Sequence, residues 1–169
     1  MFLVRPNARY KASFIEGLKE FHRESRNLRY DASELELDFE TFVRSIRERE
    51  KLEEDNGLVP ESIFWLIDDG EYIGRISVRH RLNEYLYSFG GHIGYEIRPA
   101  RRKQGFGRNI LRLGLLEAKN MGLDKVLLIC SRGNIGSVKI IEANGGILEN
   151  EIRSENDGSM IRRYWIVLH

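Results

Sequence analysis

Apolar side chains follow a helical period in the first third of the chain. After a short apolar run at residues 1–4, the segments 8–25 and 38–55 each place apolar positions three and four residues apart. The Asn56-Gly57 pair then closes the second segment with residues typical of a helix end. The pattern predicts two amphipathic helices before the first long strand.

Beyond residue 60 the apolar runs become short, and turn residues separate them. Two runs within residues 62–82 flank Asp69-Gly70, which is a strong signal for a β-hairpin. The stretch GGHIGYEIRP predicts a third strand. Pro99 is expected to end that strand because proline cannot donate a hydrogen bond to a strand ladder.

Two helices alternate with a strand in the second half of the chain. GRNILRLGLLEAKNMG has one apolar face and predicts a helix that ends at Gly122. KVLLIC is short and apolar throughout, which favours a strand buried on both faces. NIGSVKIIEANGG predicts a short helix that begins at Asn134 and ends at Gly145.

The order of these elements predicts the fold class. GILENEIRS and SMIRRYWIVLH lie on either side of ENDG and predict a closing hairpin. KVLLIC follows GGHIGYEIRP through a helical crossover, so the two strands should be parallel neighbours in an otherwise antiparallel sheet. We expect an α/β (α+β) fold, with a mixed, mostly antiparallel sheet and helices on both faces, in a single domain over residues 1–169.

Composition narrows the classes of function. The chain has 169 residues, 41% hydrophobic and 31% charged, with a formal net charge of +1. A net charge near zero argues against nucleic acid or a membrane surface as a partner. Cys130 is the one cysteine, which is consistent with a reducing compartment and leaves no cysteine-rich metal site. We therefore expect a cytoplasmic protein without a signal peptide, membrane span or metal.

The stretch RPARRKQGFGRN, from Arg98 to Asn109, stands out from this neutral background. From Arg98 to Arg112 the chain carries six bases and no acid. Glycines next to a helix N-terminus allow a phosphate group to approach free backbone N–H groups. The stretch is neither a Walker A loop nor the three-glycine dinucleotide fingerprint. It is therefore a candidate anion site of another kind, or alternatively a solvated basic turn.

What remains is an Arg-x-x-Gly-x-Gly motif formed by Arg102, Gly105 and Gly107. It resembles the acyl-CoA pyrophosphate loop of the GNAT superfamily of N-acetyltransferases. Asn134 and Ser137 match the family's pair at the start of the next helix. Together GGHIGYEIRP, RRKQGFG and NIGSVKIIEANGG look like a group of predicted bacterial GNAT proteins, and the resemblance in element order covers nearly the whole chain.

The resemblance implies acetyl-CoA as co-substrate and acetyl transfer to a primary amine by direct attack on the thioester. It also implies a splayed pair of parallel strands, with the pantetheine arm in the gap and backbone N–H groups near Ile97 that polarise the thioester carbonyl. The residues expected to bind the cofactor are Ile97, Arg98, Arg102, Lys103, Gln104, Gly105, Phe106, Gly107, Arg108, Asn134 and Ser137.

The general base stays open between Glu96, His92 and Tyr95. Strand alternation decides whether Glu96 or Tyr95 faces the reaction, and His92 has a suitable unperturbed pKa. Ile141 stands where many family members have a tyrosine that acts as general acid. Tyr164 on the last strand is a candidate replacement, although its position favours a role in the core or at the sheet edge.

The acceptor amine is not identified, whether small molecule or peptide. It is expected over the first helices and the RHRLNEY segment, with Arg79, His80, Arg81 and Asn83 as candidate contacts. These residues favour an acceptor with a carboxylate or phosphate, whereas the acidic 31–55 stretch favours a polyamine or basic peptide. The second hypothesis, after an enzyme, is a non-catalytic acetyl-CoA-binding module. The third is a nucleic-acid-binding domain. A homodimer is possible.

Overall fold

The computed structural model of the protein describes residues 1–52, 57–154 and 157–169. Asn56, predicted to close the second helix, lies outside the described residues, as does part of the ENDG turn. No helix in the described ranges is long and apolar enough to cross a membrane.

The first third of the chain is helical, as predicted, and contains one additional short helix. A 3₁₀ turn at Ala8–Tyr10 leads into α1 at Lys11–Arg23. The additional helix α2, Ala32–Leu37, begins where the Asp31 side chain accepts from the N–H groups of two residues in its first turn. Helix α3 spans Phe39–Glu48.

The first sheet is antiparallel throughout. It has the order β1-β2-β3-β4, with β1 at Phe2–Val4, β2 at Glu61–Asp68, β3 at Glu71–Arg79 and β4 at Ile93–Ile97. The predicted hairpin between β2 and β3 is confirmed. Its turn residues, Asp69 and Gly70, have φ angles of 47° and 79°, which is the pair of positive values that a type I′ turn requires.

The second half of the chain forms α4, a smaller sheet and α5. Helix α4 spans Phe106–Asn120 and α5 spans Ile135–Glu142. The predicted ends at Gly122 and Gly145 are confirmed, with φ angles of 85° and 86°. The sheet has the order β5-β7-β6, with β5 at Lys125–Ser131, β6 at Ile147–Arg153 and β7 at Met160–Val167. The closing hairpin is therefore also confirmed.

Both faces of the first sheet are covered because alternate residues of its central strands are apolar on both sides. One face packs Trp65 and Ile67 of β2 and Tyr72 of β3 beneath α1 and α3. The other face packs Leu66 of β2 and Ile76 of β3 against α4. The fold class is as predicted, with antiparallel sheets and helices on both faces.

Strands β4 and β5 are parallel neighbours that touch at one end and then diverge. The N–H of His92 donates to the Leu127 carbonyl at 2.7 Å, and the N–H of Leu127 donates to His92 Nδ1 at 2.9 Å. Beyond these two hydrogen bonds each strand belongs to its own sheet. The splayed pair that the resemblance implies is therefore present, and it divides the expected mixed sheet into two sheets with a gap between the two strands.

Candidate active site between the diverging strands

The gap between β4 and β5 forms a slot of about 190 Å³. Gly94 and Tyr95 of β4 line one side and Cys130 of β5 lines the other. Ser137 and Ile141 of α5 close it. The slot exists because the two strands stay paired only at their beginning.

Tyr95 points into this slot with a hydroxyl that lacks a hydrogen-bond partner in the described structure. Burial raises the pKa of Tyr95 to about 12. The Ser137 hydroxyl opposes that rise, but the two groups do not meet the geometry of a hydrogen bond. A buried hydroxyl without a partner is costly, so Tyr95 is suited to donate to a molecule bound in the slot.

The backbone of β4 also presents polar groups to the gap. The N–H groups of Arg79 and Arg98 form bonds that tie the ends of β4 to β3, with the His92 and Ile73 carbonyls as acceptors. In an antiparallel ladder the residues in between alternate in direction. The backbone groups of Tyr95 and Ile97 therefore point away from β3, toward β5.

The N-terminus of α4 lies at the glycine loop. Gly105 is its N-cap, with a φ of 84° and no side-chain cap, and the first turn contains no acid. The N–H groups of Phe106, Gly107 and Arg108 have no partner within the helix because the first turn never supplies one. A side chain at Gly107 would meet Ile140 of α5. The loop therefore offers free donors beside a close helix contact, which suits an anion.

The cationic side chains of the loop divide into committed and exposed groups. Arg102 donates from Nε to the Ile97 carbonyl at 3.2 Å and pairs with Glu24 at 2.8 Å, while one terminal nitrogen is buried without a partner. Gln104 donates to the Ala100 carbonyl. Lys103 and Arg108 are exposed. Arg102, Lys103 and Arg108 therefore keep cationic donors for a ligand, and Gln104 keeps one amide N–H.

Arg98 is a correction to the sequence prediction. Its side chain is buried and bonds to Glu20 of α1, with Glu16 at 3.2 Å as a second acid. The hydrogen bond with Glu20 raises the pKa of Arg98. Burial by itself would raise the pKa of Glu20, but the hydrogen bond from Arg98 outweighs burial and holds that pKa below its usual range. The Arg98 guanidinium joins α1 to the end of β4 and is not available to a cofactor.

The next motif residues occupy the start of α5. Asn134 Oδ1 accepts from the N–H of Ser137 at 3.1 Å and caps the helix. Both residues also line the slot. Asn134 thus has a capping role and a position suitable for ligand contact, as its place in the motif indicates.

Glu96 faces the opposite side of β4 from Tyr95. It lines a pocket beneath α1 and α3 whose other walls are mainly aromatic, including Tyr30, Trp65 and Tyr72. Both carboxylate oxygens accept from Nδ2 of Asn27 at 3.2 Å. Alternation along the strand therefore places the two base candidates in different cavities.

His92 forms the hydrogen bonds that join the beginnings of the two strands. Its Nδ1 already accepts from the backbone of Leu127. Burial, with a further contribution from Arg79, lowers the pKa of His92 to about 4. The imidazole is therefore neutral near pH 7, and its Nδ1 is used in a structural hydrogen bond to Leu127.

None of the four acceptor candidates after β3 lines the aromatic pocket, and three of them form contacts elsewhere in the fold. Arg79 donates to the Gly90 and Gly91 carbonyls, and His80 contacts the Ser62 hydroxyl at 2.8 Å. Asn83 donates to the Gly57 carbonyl at 2.8 Å. Arg81 is exposed. The first helices line the pocket, as expected, but this segment does not.

The structure also places Ile141, which stands at the family's general-acid position, and Tyr164, its candidate replacement. Ile141 is buried and lines the slot. The Tyr164 ring is buried in the core and its hydroxyl donates to Glu142 at 3.1 Å. Burial raises the pKa of Tyr164. Tyr164 is therefore committed to the core, and Tyr95 is the tyrosine that reaches the slot.

Sequence reasoning missed several residues that line the two cavities, namely Asn27, Tyr30, Arg75 and Cys130. Arg75 had a detectable signal, because it lies on a strand next to β4 and on the face that Glu96 would share. Asn27 had none, since it sits in a turn far from β4 in sequence. Within the described residues no group of three His, Cys, Asp or Glu side chains is placed to hold a metal.

Residues 15–147 match the family model described as "Acetyltransferase (GNAT) domain". The match covers most of the chain, so the protein belongs to the GNAT acetyltransferase family and is an N-acetyltransferase. No curated protein matches the sequence.

Solved structures of acetyltransferases share the fold. A spermidine N-acetyltransferase chimera of Vibrio cholerae SpeG and hSSAT has 18% identity and a TM-score of 0.63, over 99% of this chain and 97% of that chain. The Microcin C7 self-immunity acetyltransferase MccE, solved with acetyl-CoA and AMP, has 14% identity and a TM-score of 0.69, over 98% and 91%. A Salmonella typhimurium enzyme that modifies the N-terminal serine of ribosomal protein L7/L12 has 14% identity and a TM-score of 0.69, over 99% and 94%.

Proposed function

We propose that the protein transfers the acetyl group of acetyl-CoA to a primary amine, with the donor in the slot and the amine beside Glu96. The observation that carries this proposal is the placement of Tyr95 and Glu96. They are consecutive residues of β4, yet one lines the slot and the other lines the aromatic pocket. A donor and an acceptor bound on these two sides would meet at β4.

The donor side fits acetyl-CoA, which supplies an activated acetyl thioester when bound. The free N–H groups at the start of α4 suit its pyrophosphate. The side chains of Lys103 and Arg108 add positive charge, and Arg102 adds a terminal nitrogen that has no partner in the described structure. Asn134 and Ser137 line the slot where the pantetheine arm would lie. The unpartnered Tyr95 hydroxyl is the polar group that such an arm would satisfy.

Backbone donors support the thioester carbonyl. The N–H groups of Tyr95 and Ile97 point toward the gap, where no strand of the described residues pairs with them. Donors held in place before the reaction stabilise the negative charge that develops on a carbonyl oxygen. The divergence of β4 and β5 thus provides the donors as well as the room.

Glu96 is the proposed general base. An amine acceptor is mostly protonated at neutral pH and must lose a proton before it attacks. The Glu96 carboxylate lies in the pocket and holds two hydrogen bonds that an ammonium group could replace. His92 is already an acceptor for Leu127, and Tyr95, with its pKa raised to about 12, keeps its proton.

Tyr95 takes the role of hydrogen-bond donor in the slot. It lies in the same cavity as Ile141 and supplies the hydroxyl that Ile141 lacks. A thiol has a pKa of roughly 8.5, so the thiolate that leaves needs only modest assistance. A donated hydrogen bond from Tyr95 is sufficient for that purpose.

Calorimetry with acetyl-CoA tests the proposal. Arg108→Glu puts a carboxylate into the first turn of α4, and Arg112→Glu makes the same change at an exposed position one turn later. We expect binding by the wild type, a loss of at least tenfold in affinity for Arg108→Glu, and a change below threefold for Arg112→Glu. No binding by the folded wild type would overturn the proposal.

Turnover separates the enzyme from the alternative of a non-catalytic binding module. A panel of amines, scored by release of free thiol, should include at least one that is acetylated. We further propose a single domain over residues 1–169, a cytoplasmic location and a possible homodimer, none of which enters the argument for catalysis.

A further inference from the structure

The aromatic pocket contains one acid and one base on neighbouring strands. Arg75 of β3 and Glu96 of β4 lie directly opposite each other in the antiparallel ladder, and both line the pocket. Side chains at such positions start about 5 Å apart. Even so, the Arg75 guanidinium forms no ion pair or hydrogen bond with any described residue, and Glu96 accepts from Asn27 instead. The pocket therefore holds a cation that has no partner among the described residues, beside a carboxylate.

This pairing argues against a polycation as the acceptor. The titratable side chains that line the pocket are those of Tyr30, Tyr72, Arg75 and Glu96. A polyamine carries several ammonium groups, and only one of them could meet the single carboxylate. Another would approach Arg75 and be repelled, since like charges at a few ångströms in a partly buried site repel strongly.

We propose that the acceptor is a free α-amino acid with an apolar side chain, an inference that rests on the proposed function. The ammonium would replace the Asn27 amide on Glu96, and the carboxylate would accept two N–H bonds from the planar guanidinium of Arg75. In an α-amino acid the two charged groups are two bonds apart, which suits a pair of oppositely charged side chains on adjacent strands. The aromatic walls would receive the apolar side chain.

The reaction balances without any further reactant. The amine nitrogen forms a bond to the acetyl carbon while the bond from that carbon to sulfur breaks. Glu96 takes one proton from the ammonium before the attack, and the nitrogen loses a second proton as the tetrahedral intermediate collapses. The departing thiolate accepts a hydrogen bond from Tyr95 and takes its proton from solvent, so that one proton is released overall. The products are an N-acetyl amino acid and free CoA.

Binding requires the pocket to open. Its free volume is only about 20 Å³, which is room for about one water molecule. Asn27 and Tyr30, in the turn between α1 and α2, form part of its wall. An incoming ammonium that displaces Asn27 from Glu96 would release this turn, so binding and opening would be coupled.

The test measures acceptor binding without acetyl-CoA. Trp65 lies in the pocket wall, and Trp165 does not. A Trp165→Phe background therefore makes fluorescence report on the pocket. The ligands are L-leucine, L-methionine and L-phenylalanine, each beside its amide, together with phenethylamine and spermidine.

We expect at least one of the amino acids to bind ten times more tightly than its amide and than spermidine. Arg75→Gln should remove that preference, whereas Arg44→Gln, a matched change at an exposed position of α3, should retain it. Amides or spermidine that bind as well as the amino acids would overturn the inference, and so would a lack of binding by all three amino acids.

Failure of this inference can be told apart from failure of the proposed function. If acetyl-CoA binds in the calorimetric test but the amino acids do not, the acceptor class is wrong and the acetyltransferase assignment stands. If the amino acids bind with the expected preference but acetyl-CoA does not, the assignment of the slot is wrong.

Discussion

Asn27 and Glu96, which are 69 residues apart in sequence, are joined by two hydrogen bonds of 3.2 Å from the amide to the carboxylate. The contact ties the turn after α1 to β4 and closes the aromatic pocket. It also gives the proposed base a neutral donor in place of substrate. Mutations on β4 should therefore separate effects on chemistry from effects on closure.

Glu96→Gln should reduce kcat by about 10²- to 10⁴-fold, because it removes a proton acceptor from the reaction. The glutamine oxygen can still accept from Asn27, so the pocket should stay closed and the affinity for acetyl-CoA should not change. Steady-state kinetics and calorimetry measure the two effects. Glu48→Gln, at an exposed position of α3, is the control, and an equal loss in both variants would argue against Glu96 as the base.

Tyr95→Phe should change stability and donor binding in opposite directions. Loss of a buried hydroxyl without a partner should raise the free energy of unfolding of the free protein by about 1 kcal/mol. Loss of a donor to the bound molecule should weaken acetyl-CoA binding by about three- to tenfold. Urea unfolding and calorimetry test both signs, and unchanged acetyl-CoA affinity would remove Tyr95 from the site.

Glu20→Gln should lower the free energy of unfolding by about 3 kcal/mol, because the buried Arg98 charge would lose its main partner. Glu16, which is mostly exposed, compensates in part. Glu36→Gln removes an acid from an exposed pair with Lys19 and serves as the control, with no measurable change expected. Similar effects of the two variants in urea unfolding would contradict this account.

His92 should make folding sensitive to mild acid. Its pKa is about 4 in the folded protein, against an ordinary 6.5, so between these values the unfolded chain holds a proton that the folded chain lacks. Stability from this residue is present above pH 6.5 and is lost as the pH falls toward 4, with a slope of up to about 1.4 kcal/mol per pH unit.

His92→Asn provides the comparison for this effect. The asparagine oxygen can still accept from the N–H of Leu127 but does not titrate. The difference in free energy of unfolding between the two proteins should therefore shift in favour of the variant as the pH is lowered. Parallel stability curves from pH 7 to pH 4 would show that His92 is not the cause.

Gly114→Ala should lower the free energy of unfolding by about 1–3 kcal/mol, because its methyl group would overlap the tip of Ile76 where α4 crosses the sheet. Adding Ile76→Val removes the overlapping atom and should restore part of the loss. Gly136→Ala, where the added group meets only ordinary contacts, should not destabilise. Failure of the double variant to recover any stability would contradict the packing account.

Local patterns in the sequence predicted most of the backbone. Caps, glycine ends and the Asp69-Gly70 turn act within about four residues, so their signals are complete in a short stretch of chain. The basic glycine loop and the Asn134 cap are likewise evident from neighbouring residues alone. The short helix α2 was missed because its six residues carry too little periodicity to distinguish it from its neighbours.

Side-chain direction and long-range partners were decided by the tertiary structure. Arg98 is in the basic loop by sequence, yet it binds Glu20, which is 78 residues away. The sequence predicted Arg79 and Asn83 as contacts for the acceptor. In the structure they donate hydrogen bonds to the carbonyls of Gly90 and Gly57, which lie close to them only in the folded chain.

The sequence by itself determined most of the elements, the glycine loop and the family, because each depends on residues close together in the chain. The tertiary structure alone decided that Tyr95 and Glu96 occupy separate cavities and that Arg75 stands opposite Glu96. The physical reason is that strand pairing sets which face a side chain occupies, and the partners of these strands come from distant parts of the chain.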